Sequence, residues 1–150
     1  MKLLISAPCG QPDRLGPRLQ EAAHSVGIDV LLFDHPASRD PTLELPEVAR
    51  RHRTSRVVLL APEREDPATI ELVRRAGNRI LLWCPPVLDQ APSFLEARRR
   101  WISRAADRVA VTEEWMCPRY VDRAGRPAVH QPLLADLGTC LDGLLSNLEE

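Results

Sequence analysis

Short apolar runs alternate with segments of helical period along the whole chain. The runs are residues 2–7 (KLLISA), 29–34 (DVLLFD), 57–61 (VVLLA), 80–83 (ILLW), 109–112 (VAVT) and 128–131 (AVHQ). Each is four to six residues long, and most stop at Gly, Pro, Asn or Asp. Runs of this kind suit strands covered on both faces, as in a parallel sheet.

Helical spacing fills most of the gaps. Leu15, Leu19, Ala22, Ala23 and Val26 recur at about 3.6 residues per turn, and Gly27 stands where a helix would end. Residues 35–46 read as a Pro- and Asp-rich loop, followed by a short helix over 46–52. Asp66-Pro67 is an N-cap with proline in the first helical position, and Ile70, Val73 and Ala76 share one face before Gly77. Ser93 and Glu96 form a capping box that starts a helix near Phe94. Its buried stripe is Phe94, Ala97, Trp101, Ile102 and Ala105, and Arg98, Arg99, Arg100, Arg104 and Arg108 fill much of the rest. A further helix is expected over about 113–123. The last, over about 133–148, carries Leu134, Leu137, Leu141, Leu144, Leu145 and Leu148 at spacings of three and four.

Strands alternating with helices predict a three-layer, doubly wound parallel sheet of about six strands in one Rossmann-like α/β domain spanning 1–150. The expected strand order is 3-2-1-4-5-6, with a switch point between strands one and four. Ligands of such sheets bind at the carboxyl ends of the strands. The candidates there are Cys9, Gly10, Asp34, His35, Glu63, Cys84, Pro85, Thr112, Glu113, Glu114 and Gln131.

Composition narrows the chemistry. A chain of 150 residues with 44% hydrophobic residues can bury a substantial core. A formal net charge of −1 offers no strong field toward nucleic acid or anionic membrane. Of the 20 Lys and Arg residues only Lys2 is a lysine. A phosphate-loop, Schiff-base or kinase lysine is thereby excluded. No apolar stretch approaches the length of a membrane span and no signal peptide is evident, so a cytoplasmic location is expected.

The four cysteines, Cys9, Cys84, Cys117 and Cys140, are widely spaced and contain no C-x-x-C pair, which argues against a zinc knuckle or a disulfide framework. No metal site and no cofactor is called for. The dinucleotide fingerprint G-x-G-x-x-G is missing after strand one, and the nucleophile elbow G-x-S-x-G is missing throughout. Ser6 and Ala7 stand where a receiver domain needs acids.

In the expected order, Cys9, His35 and Cys84 line one crevice, with Cys9 and Cys84 as neighbouring reduced thiols. A thiolate or metal role is one reading of that trio. Burial as small hydrophobes is the commoner one. Trp83 and Trp101 are expected in the core, whereas Trp115, near a strand end, has a claim on a ligand or interface.

The order of the pieces also resembles a known family. The matching stretches are KLLISAP with its Gly-containing loop, DVLLFDHP, RVVLLAPE with IELVRRAGNRILLW, AADRVAVTEEW, YVDRAG and AVHQPL. Together they are similar to the N-terminal, acceptor-side half of GT-B glycosyltransferases, closest to the CgeB-like and family-4-like groups. The likeness implies a stand-alone domain of that type. Such a domain would be a binding or partner module, or one half of a split enzyme with a donor-binding half as its partner. It would transfer no sugar by itself.

Two other readings stay open. One is a small nucleotide- or ligand-binding α/β enzyme using the Cys9/His35/Cys84 crevice. The other is a homo-oligomeric interaction protein. For the latter, the stripe of Leu134, Leu137, Leu141, Leu144 and Leu148 is wide enough to serve the chain's own sheet and a dimer or partner interface.

Overall fold

The computed structural model describes residues 2–7, 15–34, 38–60, 66–84, 104–112, 114–115, 117–118, 128–132 and 136–149. Six strands form one sheet: β1 (Lys2–Ala7), β2 (Asp29–Asp34), β3 (Arg56–Leu59), β4 (Arg79–Cys84), β5 (Arg108–Val111) and β6 (Val129–His130). Every neighbouring pair is parallel. Four helices are described: α1 (Leu15–Ser25), α2 (Pro41–Arg51), α3 (Pro67–Arg75) and α4 (Leu137–Glu149).

The layers follow from the strand alternation. Leu3, Ile5, Val58, Leu81, Trp83 and Ala110 point to one face, where Leu19 and Ala23 of α1 meet Cys140, Leu141, Leu144 and Leu148 of α4. Leu4, Val57, Leu59, Ile80, Leu82, Val109 and Val111 point to the other. There they pack on Leu45 and Ala49 of α2 and Ile70 and Val73 of α3. Strands buried on both faces are why the runs carry almost no polar positions. The expected three-layer, doubly wound α/β architecture is what the chain adopts.

The strand order differs from expectation. It is 2-1-3-4-5-6, not 3-2-1-4-5-6. β3 joins the free edge of β1, with Leu3–Ser6 in register with Arg56–Leu59, and β2 is left at the rim. Both orders satisfy right-handed crossovers, so the alternation of elements alone does not choose between them. The partners of β4 are therefore β3 and β5. β4 is not a neighbour of β1, and the shared crevice expected for the residues that follow β1 and β4 loses its basis.

Helix caps account for most boundaries. Asp66 Oδ1 accepts the Ala68 amide at 2.8 Å, ahead of Pro67 in the first turn of α3. Asp40-Pro41 repeats the device, so α2 starts at Pro41 inside the stretch expected as loop, and it continues through Pro46. Gly27 and Gly77 follow α1 and α3 with φ of +76° and +88°, the left-handed conformation that side chains resist. Val26, counted on the α1 stripe, lies largely exposed. Of the expected helix starting near Phe94, only its end at Arg104 and Ala105 is described, and Trp101 lies outside the described residues.

The C-terminal leucines are taken up by the chain itself. Leu141 and Leu144 are fully buried, and Leu137, Leu145 and Leu148 are nearly so, between the sheet and α1. This corrects the reading of Leu137, Leu141, Leu144 and Leu148 as a face wide enough for a second protein. Leu134 lies outside the described residues. Two arginines hold the far end of α4. Arg56 pairs with Glu149 at 2.8 Å, and the Arg79 guanidinium donates to the carbonyls of Leu148 and Glu149. These cations meet the negative end of the helix dipole.

Candidate functional site at the carboxyl edge

α1 leaves β1 toward one face and α3 leaves β3 toward the other. In the order 2-1-3-4-5-6 the switch point is therefore the β1–β3 boundary. Its described floor is Ser6, Ala7, Leu59 and Leu60. Ser6 and Leu59 are in register, and the Leu60 amide donates to the Ser6 carbonyl at 3.0 Å. The sequences that follow these two strands hold Cys9, Gly10 and Glu63, all outside the described residues, as are His35, Pro85 and Glu113.

The remaining candidates are distributed along the same edge. Asp34 ends β2 in register with Ala7, at the rim of the sheet. Cys84 ends β4 in register with Val111 of β5, two strand spacings from β1, which is about 10 Å.

Gln131 proves to be architectural. It is buried, its amide donates to the Val111 carbonyl at 2.8 Å, and its own carbonyl accepts the Trp83 indole N–H at 3.1 Å. Its side chain lies against Gly143 of α4, where a β-carbon would fall 2.3 Å from Gln131 Oε1. Trp83 is buried at this junction, as expected for a core tryptophan.

Thr112 and Trp115 are the described side chains at the end of β5 with functional potential. Thr112 is 9% exposed, and its hydroxyl has no hydrogen-bond partner. His130 Nε2 lies 3.2 Å from the Thr112 carbonyl oxygen and, as donor, pins the strand end. Trp115, three residues on, is 49% exposed. Glu114 beside it is also exposed. Cys117, whose amide donates to the Glu114 carbonyl at 3.1 Å, is half-buried. Burial, and then the Glu114 carboxylate, push its thiol above the ordinary cysteine value, so at neutral pH it is protonated and a poor nucleophile.

Sequence reasoning missed His130 and the second buried hydroxyl without a partner, Thr69 in the first turn of α3. The signal for Thr69 was its place three residues after the Asp66 cap. His130 gave no signal, because a histidine in a two-residue strand has no characteristic spacing.

Open depressions occur elsewhere. One of about 380 Å³ runs between α1 and the rim strand β2, past Gln20, Glu21, His24 and Asp29. Among the described residues no group of three or more His, Cys, Asp or Glu side chains is arranged to hold a metal ion. Among them, too, no helix is long and apolar enough to cross a membrane.

The fold and this edge define the class as a parallel, doubly wound α/β domain with its switch point at β1–β3. No protein-family model matches the chain, and no curated protein sequence matches it.

Proposed function

We propose that the chain is a binding module that takes a small ligand across the carboxyl edge, centred on the β1–β3 boundary. It forms one wall of a site that a second half completes, in the manner of an acceptor-side glycosyltransferase half. The observation that supports this reading is the departure of α1 and α3 to opposite faces from adjacent strands, which opens a crevice in folds of this kind. The resemblance in the order of sequence elements supports the ligand class. The described residues at this edge hold the sheet together or present hydroxyl, carboxylate and aromatic groups. They suit binding more than covalent chemistry, and the raised Cys117 thiol accords with that.

The test is an amide chemical-shift titration of the isotope-labelled chain with UDP-glucose, maltotriose and cellotriose. Binding at the carboxyl edge would move the amides of Ala7, Asp34 and Leu60. Shifts confined to the amino ends of the strands, near Lys2, Arg56 and Arg79, would overturn the reading, as would no shift with any probe. Sugar transfer from UDP-glucose by the chain alone would also contradict a module that is inactive by itself.

A further inference from the structure

Thr112 and Trp115 sit three residues apart, on a segment that turns directly after β5. Three residues span at most about 10 Å, so the two positions lie within that distance of each other at the carboxyl edge. The two side chains are unusual for different reasons. A buried hydroxyl with no partner gives up its hydrogen bonds to water and gets nothing back within the protein, so such groups in native folds call for an explanation. A half-exposed tryptophan is the other. The other tryptophan among the described residues, Trp83, is buried. The His130 contact on the Thr112 carbonyl fixes the backbone at Thr112.

We infer that this patch is a subsite for a neutral glycosyl ring, with Trp115 as the stacking platform and the Thr112 hydroxyl as a hydrogen-bonding group. The inference rests on the carboxyl-edge reading above and names the ligand for one end of it. A pyranose presents C–H bonds on its faces and hydroxyls on its rim, which matches an indole face beside a hydroxyl that both donates and accepts. Charge favours a neutral ring over a nucleotide. Exposed Glu114 stands between the two residues in sequence and repels phosphate, while its carboxylate can accept from sugar hydroxyls. β5 lies two strand spacings from β3, about 10 Å, so a ligand of two or three sugar rings would reach from the switch point to Trp115.

The experiment follows the indole N–H resonance of Trp115, assigned by its loss in Trp115→Phe, during titration with maltotriose, cellotriose and UDP-glucose. At least one neutral trisaccharide is expected to shift it, and UDP-glucose is expected to bind more weakly. Trp115→Ala should weaken trisaccharide binding by about tenfold or more, on the scale of ring stacking on an aromatic face. Thr112→Val keeps the side-chain shape and removes the hydroxyl. It should weaken binding by about three- to tenfold while leaving the melting temperature unchanged or higher, since no partner is lost on folding.

A shift of the Ala7 and Leu60 amides with no movement at Trp115 would overturn this inference and leave the carboxyl-edge reading standing. Silence of the whole edge would remove both. Unaltered affinity in Thr112→Val, with the fold intact, would overturn the role of the hydroxyl. Tighter binding of UDP-glucose than of either trisaccharide would assign the patch to a sugar nucleotide and overturn the neutral-ring inference.

Discussion

The indole N–H of Trp83 donates to the carbonyl oxygen of Gln131 at 3.1 Å, joining β4 to the end of β6 across the intervening β5. The sheet hydrogen bonds tie each strand only to its neighbours. This one spans two spacings and fixes the short β6, which has two residues of its own ladder. Trp83→Phe removes the donor, and partly the volume, while leaving the carbonyl buried. The loss should be about 1–3 kcal/mol in urea unfolding, with amide exchange at Val129 and His130 rising more than at β1. Equal exchange rates across the sheet would show that the bond does not anchor β6.

Gly143 and Gln131 form a second coupled pair. A methyl group at 143 would fall within 2.3 Å of Gln131 Oε1, in a buried site that also receives the Asn147 amide at 3.4 Å. Alanine gains about 1 kcal/mol over glycine in a helix interior, and overpacking costs about 1–3 kcal/mol. Gly143→Ala is therefore expected to lower stability. Gly143→Ala in a Gln131→Ala background should raise it. The sign reversal in a double-mutant cycle is the measurement. A stabilising Gly143→Ala in the wild-type background would mean that Gln131 moves aside freely.

At the amino edge the turns after α2 and α3 are joined by a buried bond. Thr54 Oγ1 donates to Asn78 Oδ1 at 2.8 Å, and Asn78 Nδ2 donates to the Val73 carbonyl at 3.2 Å. Asn78→Ala removes both of these bonds, while the Thr54 hydroxyl keeps the Ala49 carbonyl at 3.3 Å and the Val73 carbonyl keeps the backbone amide of residue 78 at 3.4 Å. About 1–3 kcal/mol should therefore be lost, the worth of two buried bonds with no group left wholly unpaired. Thermal unfolding of Thr54→Val, Asn78→Ala and the double variant would test this. Additive single losses would show that the two side chains act independently.

The cap of α4 carries a pH dependence. The Thr139 hydroxyl donates to Asp136 Oδ2 at 2.7 Å and the Gly138 amide to Oδ1 at 3.0 Å. These bonds, the hydroxyl's foremost, hold the Asp136 carboxyl below the usual carboxylate range. A folded-state value below the unfolded one, which is about 3.9, adds stability above that unfolded value. The addition disappears as pH falls through the folded value. Asp136→Ala should therefore lower the melting temperature at pH 7 and matter progressively less on acidification below pH 4. A difference between the two proteins that stays constant down to pH 2 would contradict the cap.

The layers were legible in the sequence because nothing else buries runs such as VVLL and ILLW on both sides. The order of the strands was not, yet one cue was present. β2 carries Asp29 and Asp34 at its two ends, and Leu31 and Leu32 are only partly buried, whereas Val57, Val58 and Leu59 of β3 are almost wholly inside. Charged ends mark a rim strand, and that mark separates 2-1-3 from 3-2-1. The leucines of α4 misled for a related reason. Their breadth read as two surfaces, but a helix apolar over most of its circumference is simply a deeply buried one. Thr112 was found from its place at a strand end. Its missing partner was not, since satisfaction of a hydroxyl depends on neighbours from β6 and the turn that follows β5, which spacing does not encode.

The pairing of α1 with α4 bears on how the chain is made. One face of the sheet is roofed by residues 15–25 and 137–149 together. At the ribosome, Trp83, Leu81 and Val58 emerge long before their second roof exists. At about 5–20 residues per second, several seconds separate the synthesis of Trp83 from that of Leu148. During that interval half of the roof is missing, and the nascent sheet presents an apolar slope to whatever is nearby. Holding factors at the tunnel exit would have their strongest claim on this chain between β4 and α4. A stalled product that lacks α4 would be a substrate for degradation and would not be a smaller working domain.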